Sequence, residues 1–489
     1  MIDESTVGLT VEVRSSRSTA VEDHPPFRIA VFGDFTGRAS RGLCDPAAAF
    51  SARPRLVDRD DFDEVLAEMA PELRFPLGNI KFLELDDFHP DRLYASLPVF
   101  QELRSLRARL SNPKTFREAA AELTGSPAPE RPPARGGNLL EDMLEEAEPG
   151  GPAPARPGET YDDLHDYIRA IVAPHLVPGK DPQQDELVGK VDAAIASRMR
   201  ALLHHPEFQG LEAAWRTVFL MVRRLETGPD LKLFLFDVTR EELSRDLAGA
   251  SDLRSAGFYK KMVAAEPWAL AAGNYTFACS LEDVDLLARI AMVSRQAGAP
   301  FIAGASDRVL GCASLTASPD PYDWTERNAT SDEIWQTLRQ FPEAPYLGLA
   351  LPRFLLRLPY GKSGSQTEQF AFEEPDGTPV HEEFLWGNAG LACACLLGET
   401  FARDGWNMRP GVIREIGGLP YYTYQDAGEC VSKPCAETLL TDRASEAILD
   451  RGLMPLLSAK NGDRVLCAGF RSIADPPAAL AGRWSTNPG

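Results

Sequence analysis

The most constraining feature of the sequence is the stretch 201–243, whose pattern changes from helical to extended within a few residues. Its apolar side chains recur at spacings of three and four, which places them on one helical face. These residues are Leu202, Phe208, Leu211, Trp215, Val218, Phe219 and Val222. Pro206 restarts the helix, and Thr227-Gly228-Pro229 ends it.

The second half of this stretch predicts a strand that leads into another helix. Leu231, Leu233 and Leu235 alternate with other residues, as in a half-buried strand. Thr239 and Glu242 have the spacing of a capping box, which opens a helix.

The other predicted elements continue this alternation of strands and helices. Strands are predicted at 6–13, 80–85 and 300–306, and 27–38 is predicted to be a buried strand that breaks into a glycine-bearing turn. Helices are predicted at 60–69, 93–110, 161–176 and 283–298, from Asn112 and Pro113 onward, and from Gln183 into the first stretch. This alternation favours an α/β fold built from α and β layers. Strand 6–13 lies near a chain end, so it either pairs internally, which the pattern favours, or adds to the sheet of another chain.

Composition excludes two classes of partner. The chain has 489 residues, a formal net charge of -21 and a pI of about 4.9. A binder of nucleic acid or of an anionic membrane surface needs clustered Lys and Arg, so neither partner is expected. The length favours about three domains.

The chain is expected to be cytoplasmic. Its start has no basic region followed by an apolar core, and no run approaches the ~18 apolar residues of a membrane span. Cysteines scattered through apolar segments predict buried free thiols. They are Cys44, Cys279, Cys312, Cys393, Cys395, Cys430, Cys435 and Cys467.

Residues 124–160 interrupt the alternation. Pro, Gly and Ala dominate this segment, which predicts a flexible linker. The wider segment 138–186 contains 12 acidic and 3 basic residues. A solvated linker is the simpler interpretation, and a docking peptide for a basic partner is the alternative.

Several runs resemble the large sheath subunit of the bacterial type VI secretion system. The first run matches at Leu203, His204, His205, Pro206, Phe208, Leu211, Glu212, Trp215 and Arg216. A second matches at Tyr346, Gly348, Leu349, Leu351, Pro352, Arg353, Leu355, Arg357, Leu358, Pro359, Tyr360 and Gly361. A third matches at Leu385, Trp386, Gly387, Asn388 and Ala389, and 433–457 is a weaker match.

The beginning of the chain resembles the small sheath subunit of the same system. One run matches at Pro26, Phe27, Arg28, Ile29, Gly33, Asp34, Phe35, Gly37 and Arg38. The segment 86–93 matches a turn that leads into a helix, at Asp86, Asp87, Phe88, Pro90 and Asp91.

Together, these resemblances imply two sheath-type domains, at 1–123 and 161–489, joined by the linker 124–160. They imply a structural assembly protein of a type VI secretion (contractile injection) machine. Its partners would be other sheath subunits in a homo- or hetero-oligomer, together with inner tube or baseplate components. No cofactor, catalytic residue or metal ligand is implied.

The resemblance also implies strands exchanged between neighbouring subunits, two of which would fall within 124–180, where no strand pattern is found. A third would lie in a C-terminal region of roughly a hundred residues that this sequence lacks, judged against typical domain size. The alternative is therefore an accessory cap or baseplate adaptor that does not itself contract.

Motifs for chemistry are weak throughout. Gly361-Lys362-Ser363 and Gly33 to Gly37 do not complete a phosphate-binding loop. His204 and His205 point about 100° apart on a helix, and His89 is interpreted as a turn residue. The pairs Cys393/Cys395 and Cys430/Cys435 lack zinc-site spacing. An enzyme or ligand-binding protein on the same scaffold is the second hypothesis, and it requires a polar pocket.

The remaining prominent residues are interpreted as structural. Trp215, Trp386 and Phe208 are predicted to lie in the core. Arg353 and Arg357 are predicted to pair with acidic residues, within the subunit or across an interface.

Overall fold

The computed structural model describes residues 25–75, 78–124, 184–325, 328–362, 364–426 and 428–485. The predicted strand 6–13, the predicted helix 161–176 and the predicted linker beyond residue 124 lie outside the described residues.

The described strands and helices alternate along most of the chain. The strands are β1 Phe27–Gly33, β2 Arg55–Val57, β3 Glu72–Phe75, β4 Gly78–Lys81, β5 Leu231–Asp237, β6 Leu270–Phe277, β7 Phe301–Ala305, β8 Leu347–Leu351, β9 Phe354–Arg357, β10 Leu385–Gly387, β11 Glu415–Ile416, β12 Tyr422–Asp426, β13 Glu429–Lys433, β14 Met454–Ser458 and β15 Val465–Cys467. The helices are α1 Pro46–Ser51, α2 Phe62–Met69, α3 Pro90–Ser96, α4 Pro98–Ser111, α5 Phe116–Thr124, α6 Gln184–Leu203, α7 Pro206–Arg224, α8 Arg240–Gly249, α9 Gly257–Val263, α10 Leu281–Ala297, α11 Ala329–Arg339, α12 Ala389–Asp404 and α13 Asp442–Asp450.

Among the described residues, nine strands form one mixed sheet in the order β11-β15-β14-β8-β7-β6-β1-β5-β2. The six strands from β14 to β5 run parallel, and the outer strands β2, β15 and β11 are antiparallel to their neighbours. Three two-stranded sheets accompany it: β3 with β4, β9 with β10, and β12 with β13.

Both faces of the sheet are covered, because successive side chains of a strand point to opposite sides. In β1, Phe27, Ile29 and Val31 enter one apolar cluster, which also contains α2 to α7 and α12. Ala30 and Phe32 enter a second cluster, with α1, α8 to α11 and α13. The fold therefore has three layers, and the predicted α/β class is confirmed.

Strand β1 lies inside this sheet although it comes from the beginning of the chain. It pairs along its whole length with β5, from Phe27 opposite Leu231 to Gly33 opposite Asp237. Its other edge pairs with β6. The two segments that resemble different sheath subunits therefore share one sheet and both of its apolar cores.

The helix–strand–helix prediction at 201–243 is confirmed by α7, β5 and α8. Phe208 and Trp215 are fully buried, as predicted. Thr239 and Glu242 form the predicted capping box at the start of α8. The predictions at 283–298 and 300–306 are confirmed by α10 and β7.

Some predicted boundaries in the first segment are wrong. The predicted helix 93–110 is two helices, because the chain turns at Leu97 and Pro98 starts α4. The predicted strand 80–85 ends at Lys81, after which the Asp87 carboxylate accepts the Leu83 N–H at 2.7 Å and closes a turn.

Two predicted helix starts also lie too early in the sequence. The helix predicted from Asn112 begins at Phe116, because the Asn112 side chain accepts the Lys114 N–H at 3.0 Å and forms a preceding turn. The helix predicted from Asp60 begins two residues later, at Phe62.

The cysteines are free thiols, as predicted. Burial holds for Cys312, Cys393, Cys395, Cys435 and Cys467, whereas Cys44 and Cys279 are partly exposed. For Cys430 the prediction of burial is wrong, because this residue lies on the outer face of the β12–β13 hairpin. None of the described helices combines the length and apolar character that crossing a bilayer demands.

Candidate functional site

Side chains from the two sheath-like segments meet where β1 ends. We call the contact between residues 25–124 and residues 184–485 the seam. Trp215 Nε1 donates a hydrogen bond of 2.8 Å to the Phe35 carbonyl oxygen. The two rings also meet edge to face at 5.9 Å. Each residue belongs to the motif of its own segment, so the two motifs pack directly on each other.

Asp237 ties the turn after β1 to the end of β5. Its carboxylate accepts the backbone N–H groups of Phe35 at 2.9 Å and Thr36 at 3.1 Å. The Thr36 hydroxyl donates to the same carboxylate at 2.7 Å. Burial raises the pKa of Asp237, and the hydrogen bond from Thr36 opposes that shift.

Arg38 extends the seam to the start of α8. Its Nη2 lies 2.6 Å from Glu242 Oε1, and its Nε donates to Glu242 Oε2 at 3.0 Å. The hydrogen bond with fully buried Glu242 raises the pKa of Arg38. Glu242 also accepts the Thr239 N–H at 2.9 Å, so one carboxylate caps a helix and holds the other segment.

A buried ion network lies on the α7 side of the sheet. Arg357 Nε lies 2.8 Å from Glu212 Oε1, and Arg357 Nη1 lies 2.8 Å from Glu374 Oε2. Both glutamates are fully buried. Burial alone would raise the pKa of Glu374, but the charge of Arg357 and its hydrogen bonds lower this pKa to about 2. The Glu374 carboxylate therefore stays ionised beside the arginine.

Further motif residues complete this network. Arg216 Nε contacts Glu212 Oε1 at 2.7 Å, and Arg216 Nη2 donates to the Tyr360 hydroxyl at 3.1 Å. His204 Nε2 lies 3.3 Å from Glu374 Oε1, without hydrogen-bond geometry. Burial raises the pKa of Tyr360 to about 12. Apart from Glu374, the network consists of residues that carry the resemblance to the large sheath subunit.

The loop after β9 makes a second contact across the seam. Asp91 accepts the N–H groups of Glu368 at 2.8 Å and Gln369 at 3.0 Å. The rings of Tyr94 and Phe370 stack with centroids 4.4 Å apart. Asp91 belongs to the motif that resembles the small sheath subunit. The loop after β9 therefore has two roles, because it supplies Glu374 to the ion network and also binds the first segment.

Arg353 belongs to a separate cluster. Its Nε donates to Glu437 Oε2 at 2.9 Å, and His381 Nε2 lies 2.8 Å from Glu437 Oε1. Burial would raise the pKa of Glu437, but its hydrogen bonds with Arg353 and His381 lower it to about 2. The ion pairs predicted for Arg353 and Arg357 are confirmed, and both lie within the subunit. Trp386 is buried, as predicted, and its ring stacks on that of His381.

A cleft of about 390 Å³ opens at the carboxyl ends of β1 and β6. Open α/β sheets bind ligands at this edge. Residues from both motif sets line it, including Asp34, Gly37, Leu211, Arg353, Trp386 and Asn388. Both of its arginines are already paired, Arg240 with Asp283 and Arg353 with Glu437. No histidine or cysteine is found among the described residues that line this cleft.

The weak motifs do not come together in a reactive site. Lys362 is 86% exposed and faces Glu373, whereas Ser363 lies outside the described residues. His205 caps α7 by accepting the Glu207 N–H at 3.3 Å. His89 caps α3 in the same way and is a turn residue, as predicted. Within the described ranges, no three His, Cys, Asp or Glu residues are grouped as a metal site requires.

Sequence reasoning missed the acidic partners in these clusters. Glu374 and Glu437 lie in irregular segments with no periodic pattern. Their only signal was indirect: arginines in apolar runs need carboxylates when they are buried. The ion pair of Glu242 with Arg38 could not be predicted either. The capping box already accounts for a glutamate at this position, so the sequence offered no reason to expect a second partner.

Two protein families match the two segments separately. The family described as the tail sheath N-terminal domain (VipB, EvpB) matches residues 185–474. The type VI secretion system VipA family matches residues 6–124. A curated relative, the type VI secretion system sheath protein TssC1 of Pseudomonas aeruginosa, is 31% identical over 306 residues. These residues cover 60% of this chain and 61% of the relative, so the chain spans about three fifths of that protein's length.

The first match covers more than half of the chain and contains the whole buried ion network around Arg357. The protein therefore belongs to the VipB tail sheath family.

Proposed function

We propose that this protein is a structural subunit of the sheath of a type VI secretion machine, with both sheath-type segments in one chain. The observation that carries this proposal is the position of β1 between β5 and β6. Because this strand is central, the first segment is part of the scaffold of the second. The motif residues at the seam hold the two segments together.

We further propose that the chain divides into sheath-type domains at 1–123 and 161–489, with 124–160 as a linker. The two family matches, at 6–124 and 185–474, support this division. The pairing of β1 with β5 and β6 supports the further proposal that the two domains act as one building block.

The protein would act in the cytoplasm through protein–protein contacts, with other sheath subunits and with inner tube or baseplate components. The buried ion pairs around Arg357 and Arg353 support this role, because fully satisfied polar networks hold the side chains and segments that they join in one arrangement. A subunit of this kind performs no catalytic step. The published name of the relative, a sheath protein, supports the same assignment.

Electron microscopy of the purified protein tests the proposal, first alone and then co-expressed with the products of neighbouring genes. Tubes or rings from the protein alone are the expected result. Incorporation into the tube of a partner, or at its end, without assembly alone would instead identify an accessory cap or baseplate adaptor.

Monodisperse particles in both preparations, with no partner bound, would overturn the assembly function. The cleft at the carboxyl ends of β1 and β6 would then become the place to search for a ligand.

A further inference from the structure

The amine of Lys433, at the end of β13, begins a chain of polar contacts. Its Nζ lies 2.9 Å from His381 Nδ1. His381 Nε2 lies 2.8 Å from Glu437 Oε1, and Arg353 Nε donates to Glu437 Oε2 at 2.9 Å. An amine, an imidazole, a carboxylate and a guanidinium therefore follow one another, each within hydrogen-bond distance of the next.

The chemistry of these groups assigns a role to each nitrogen of the imidazole. The pKa of Glu437 is lowered to about 2, so its carboxylate is ionised and only accepts hydrogen bonds. His381 Nε2 therefore carries a hydrogen, and Nδ1 accepts one from the Lys433 amine. A nucleophile, a base within its reach and a third group that orients the base form the arrangement that activates nucleophiles in enzymes.

The surroundings of Lys433 favour its uncharged amine. Burial lowers the pKa of Lys433, and the charge of Arg353 lowers it further, whereas the carboxylates of Glu437 and Glu382 oppose the shift. At neutral pH more of this amine is therefore uncharged than in a hydrated lysine, and only the uncharged amine is a nucleophile. The residue is still partly exposed, so a small reagent can reach it.

Two aromatic rings hold the amine in position. Lys433 Nζ lies 5.5 Å from the ring centroid of Phe384 and 5.5 Å from that of Trp386. The Trp386 ring also stacks on the His381 ring, with centroids 5.2 Å apart. Because Phe384 and Trp386 are buried, these contacts fix the direction from which the amine meets a reagent.

Arg353 indicates which class of reagent fits the cluster. Its pair with Glu437 uses Nε and Nη2, which leaves Nη1 for another oxygen. Half of its side chain is exposed, and its guanidinium lies 6.0 Å from the Trp386 ring against which Lys433 also lies. Guanidinium groups bind phosphate oxygens well. A reagent with a phosphate beside its electrophilic carbon therefore matches the two cations.

We propose that Lys433 is a modification site, at which an acyl phosphate acylates the side-chain amine. The lone pair of Nζ attacks the carbonyl carbon and forms a C–N bond. The bond between that carbon and the phosphate oxygen breaks, and inorganic phosphate leaves with the electron pair. The amine proton passes to His381 Nδ1 and then to water, while Glu437 stabilises the imidazolium that forms in between.

The product is a neutral amide, so acylation changes the charge of the hairpin. Its two strands carry charge at Asp426, Glu429 and Lys433, two negative and one positive. After acylation both remaining charges are negative. The cation would also be lost from the rings of Phe384 and Trp386.

Competitive labelling of the full-length protein tests the proposal. The protein is treated briefly with acetyl phosphate at pH 7.5, and the remaining amines are acetylated with an isotopically labelled reagent after denaturation. Mass spectrometry of the peptides then gives the rate at each lysine. We expect Lys433 to react several-fold faster than Lys362, although Lys362 is far more exposed. A rate at Lys433 equal to or below that at Lys362 would overturn the proposal.

The same labelling over about pH 7 to 11 needs no variant. The rate at Lys433 should reach half of its maximum at a lower pH than the rate at Lys362. Coincident pH profiles of the two lysines would contradict an activated amine.

His381→Asn tests the base. General bases typically contribute about 10²- to 10⁴-fold, so the rate at Lys433 should fall by at least about tenfold. The rate at Lys362 in the same sample and an unchanged melting temperature are the controls for the fold. An unchanged rate at Lys433 would show that His381 does not accept the proton.

A neutral donor, N-hydroxysuccinimidyl acetate, tests the class of reagent. The ratio of the rates at Lys433 and Lys362 should be higher with acetyl phosphate than with this ester, and inorganic phosphate should lower it only for acetyl phosphate. Equal ratios for the two donors would overturn the assignment of an acyl phosphate.

Discussion

At the scale of single residues, the ion network around Arg357 has a high desolvation cost, because its arginine and both glutamates are buried. Removing ions from water is costly, and the cost is recovered only where partners and hydrogen bonds are complete. The pKa of Glu374 falls from 4.5 to about 2. This carboxylate therefore contributes stability that is fully present above about pH 4.5 and is lost as the pH falls towards 2.

Glu374→Gln should destabilise the fold strongly, because Arg357 would keep a buried charge with only one carboxylate partner. The expected loss is about 3 to 5 kcal/mol in the free energy of unfolding. Urea denaturation followed by fluorescence measures it.

The matched control is Glu186→Gln, which removes an exposed pair with Lys190 on α6. That substitution should cost less than about 1 kcal/mol. Equal unfolding midpoints for the two variants would show that the network contributes no more than a surface ion pair.

The contribution of Asp307 to stability depends on pH in the opposite direction to that of Glu374. It follows β7 and accepts the Leu315 N–H at 2.8 Å, and burial raises its pKa from 3.8 to about 6. Between these values the folded state binds more protons than the unfolded state, so stability falls as the pH rises. Above pH 6 the protein carries a buried carboxylate that opposes folding.

Asp307→Asn should therefore raise the melting temperature at pH 7.5 and have little effect at pH 4. The gain at pH 7.5 is up to about 3 kcal/mol, because one pKa unit corresponds to about 1.4 kcal/mol. The asparagine oxygen can still accept the Leu315 N–H. Calorimetry at both pH values, with Asp60→Asn as an exposed control, measures the change. A gain of equal size at both pH values would contradict this account.

At the scale of elements, the turn after β1 depends on Gly37. Its φ is +71°, and an added Cβ would lie 2.4 Å from the Glu72 backbone oxygen. Gly42 has a similar φ of +68° but open space around it. The two glycines therefore separate backbone strain from a steric clash.

Gly42→Ala should cost about 1 kcal/mol from its left-handed backbone alone. Gly37→Ala should cost about 1 to 3 kcal/mol more, because the carbonyl that it meets belongs to the backbone of β3. Thermal unfolding of both variants tests this difference. Similar losses would mean that the turn can move away from β3.

Periodic elements were predictable from the sequence wherever local pattern and tertiary burial agree. Helix α7 and strand β5 are of this kind, because their apolar faces meet the core that the spacing implies. The prediction of one helix at 93–110 was wrong, because the chain breaks at Leu97 and Pro98 starts a new helix although the apolar spacing continues on both sides. Cys430 was misplaced for a related reason, since an apolar neighbourhood in sequence does not show which face of a strand is covered.

At the scale of the whole molecule, the shared sheet could not be predicted from the pattern. An apolar strand such as β1 shows that it is buried, but not which strands flank it. The same limit applies to Glu374, which is one acidic residue among many until Arg357 is placed beside it. The motifs identified the residues of the seam, whereas only the fold shows that they contact one another.

The central position of β1 also determines when this protein can fold during its synthesis. Phe27 pairs with Leu231, so about two hundred residues separate the partners of this ladder. At ribosomal rates of about 5 to 20 residues per second, β1 leaves the ribosome roughly 10 to 40 seconds before β5 exists. During that interval its apolar side chains have no sheet to enter. Strand β1, the earliest of the described strands, thus enters its sheet late, and until β5 and β6 enclose it the nascent chain exposes an unpaired apolar strand of the kind that favours aggregation.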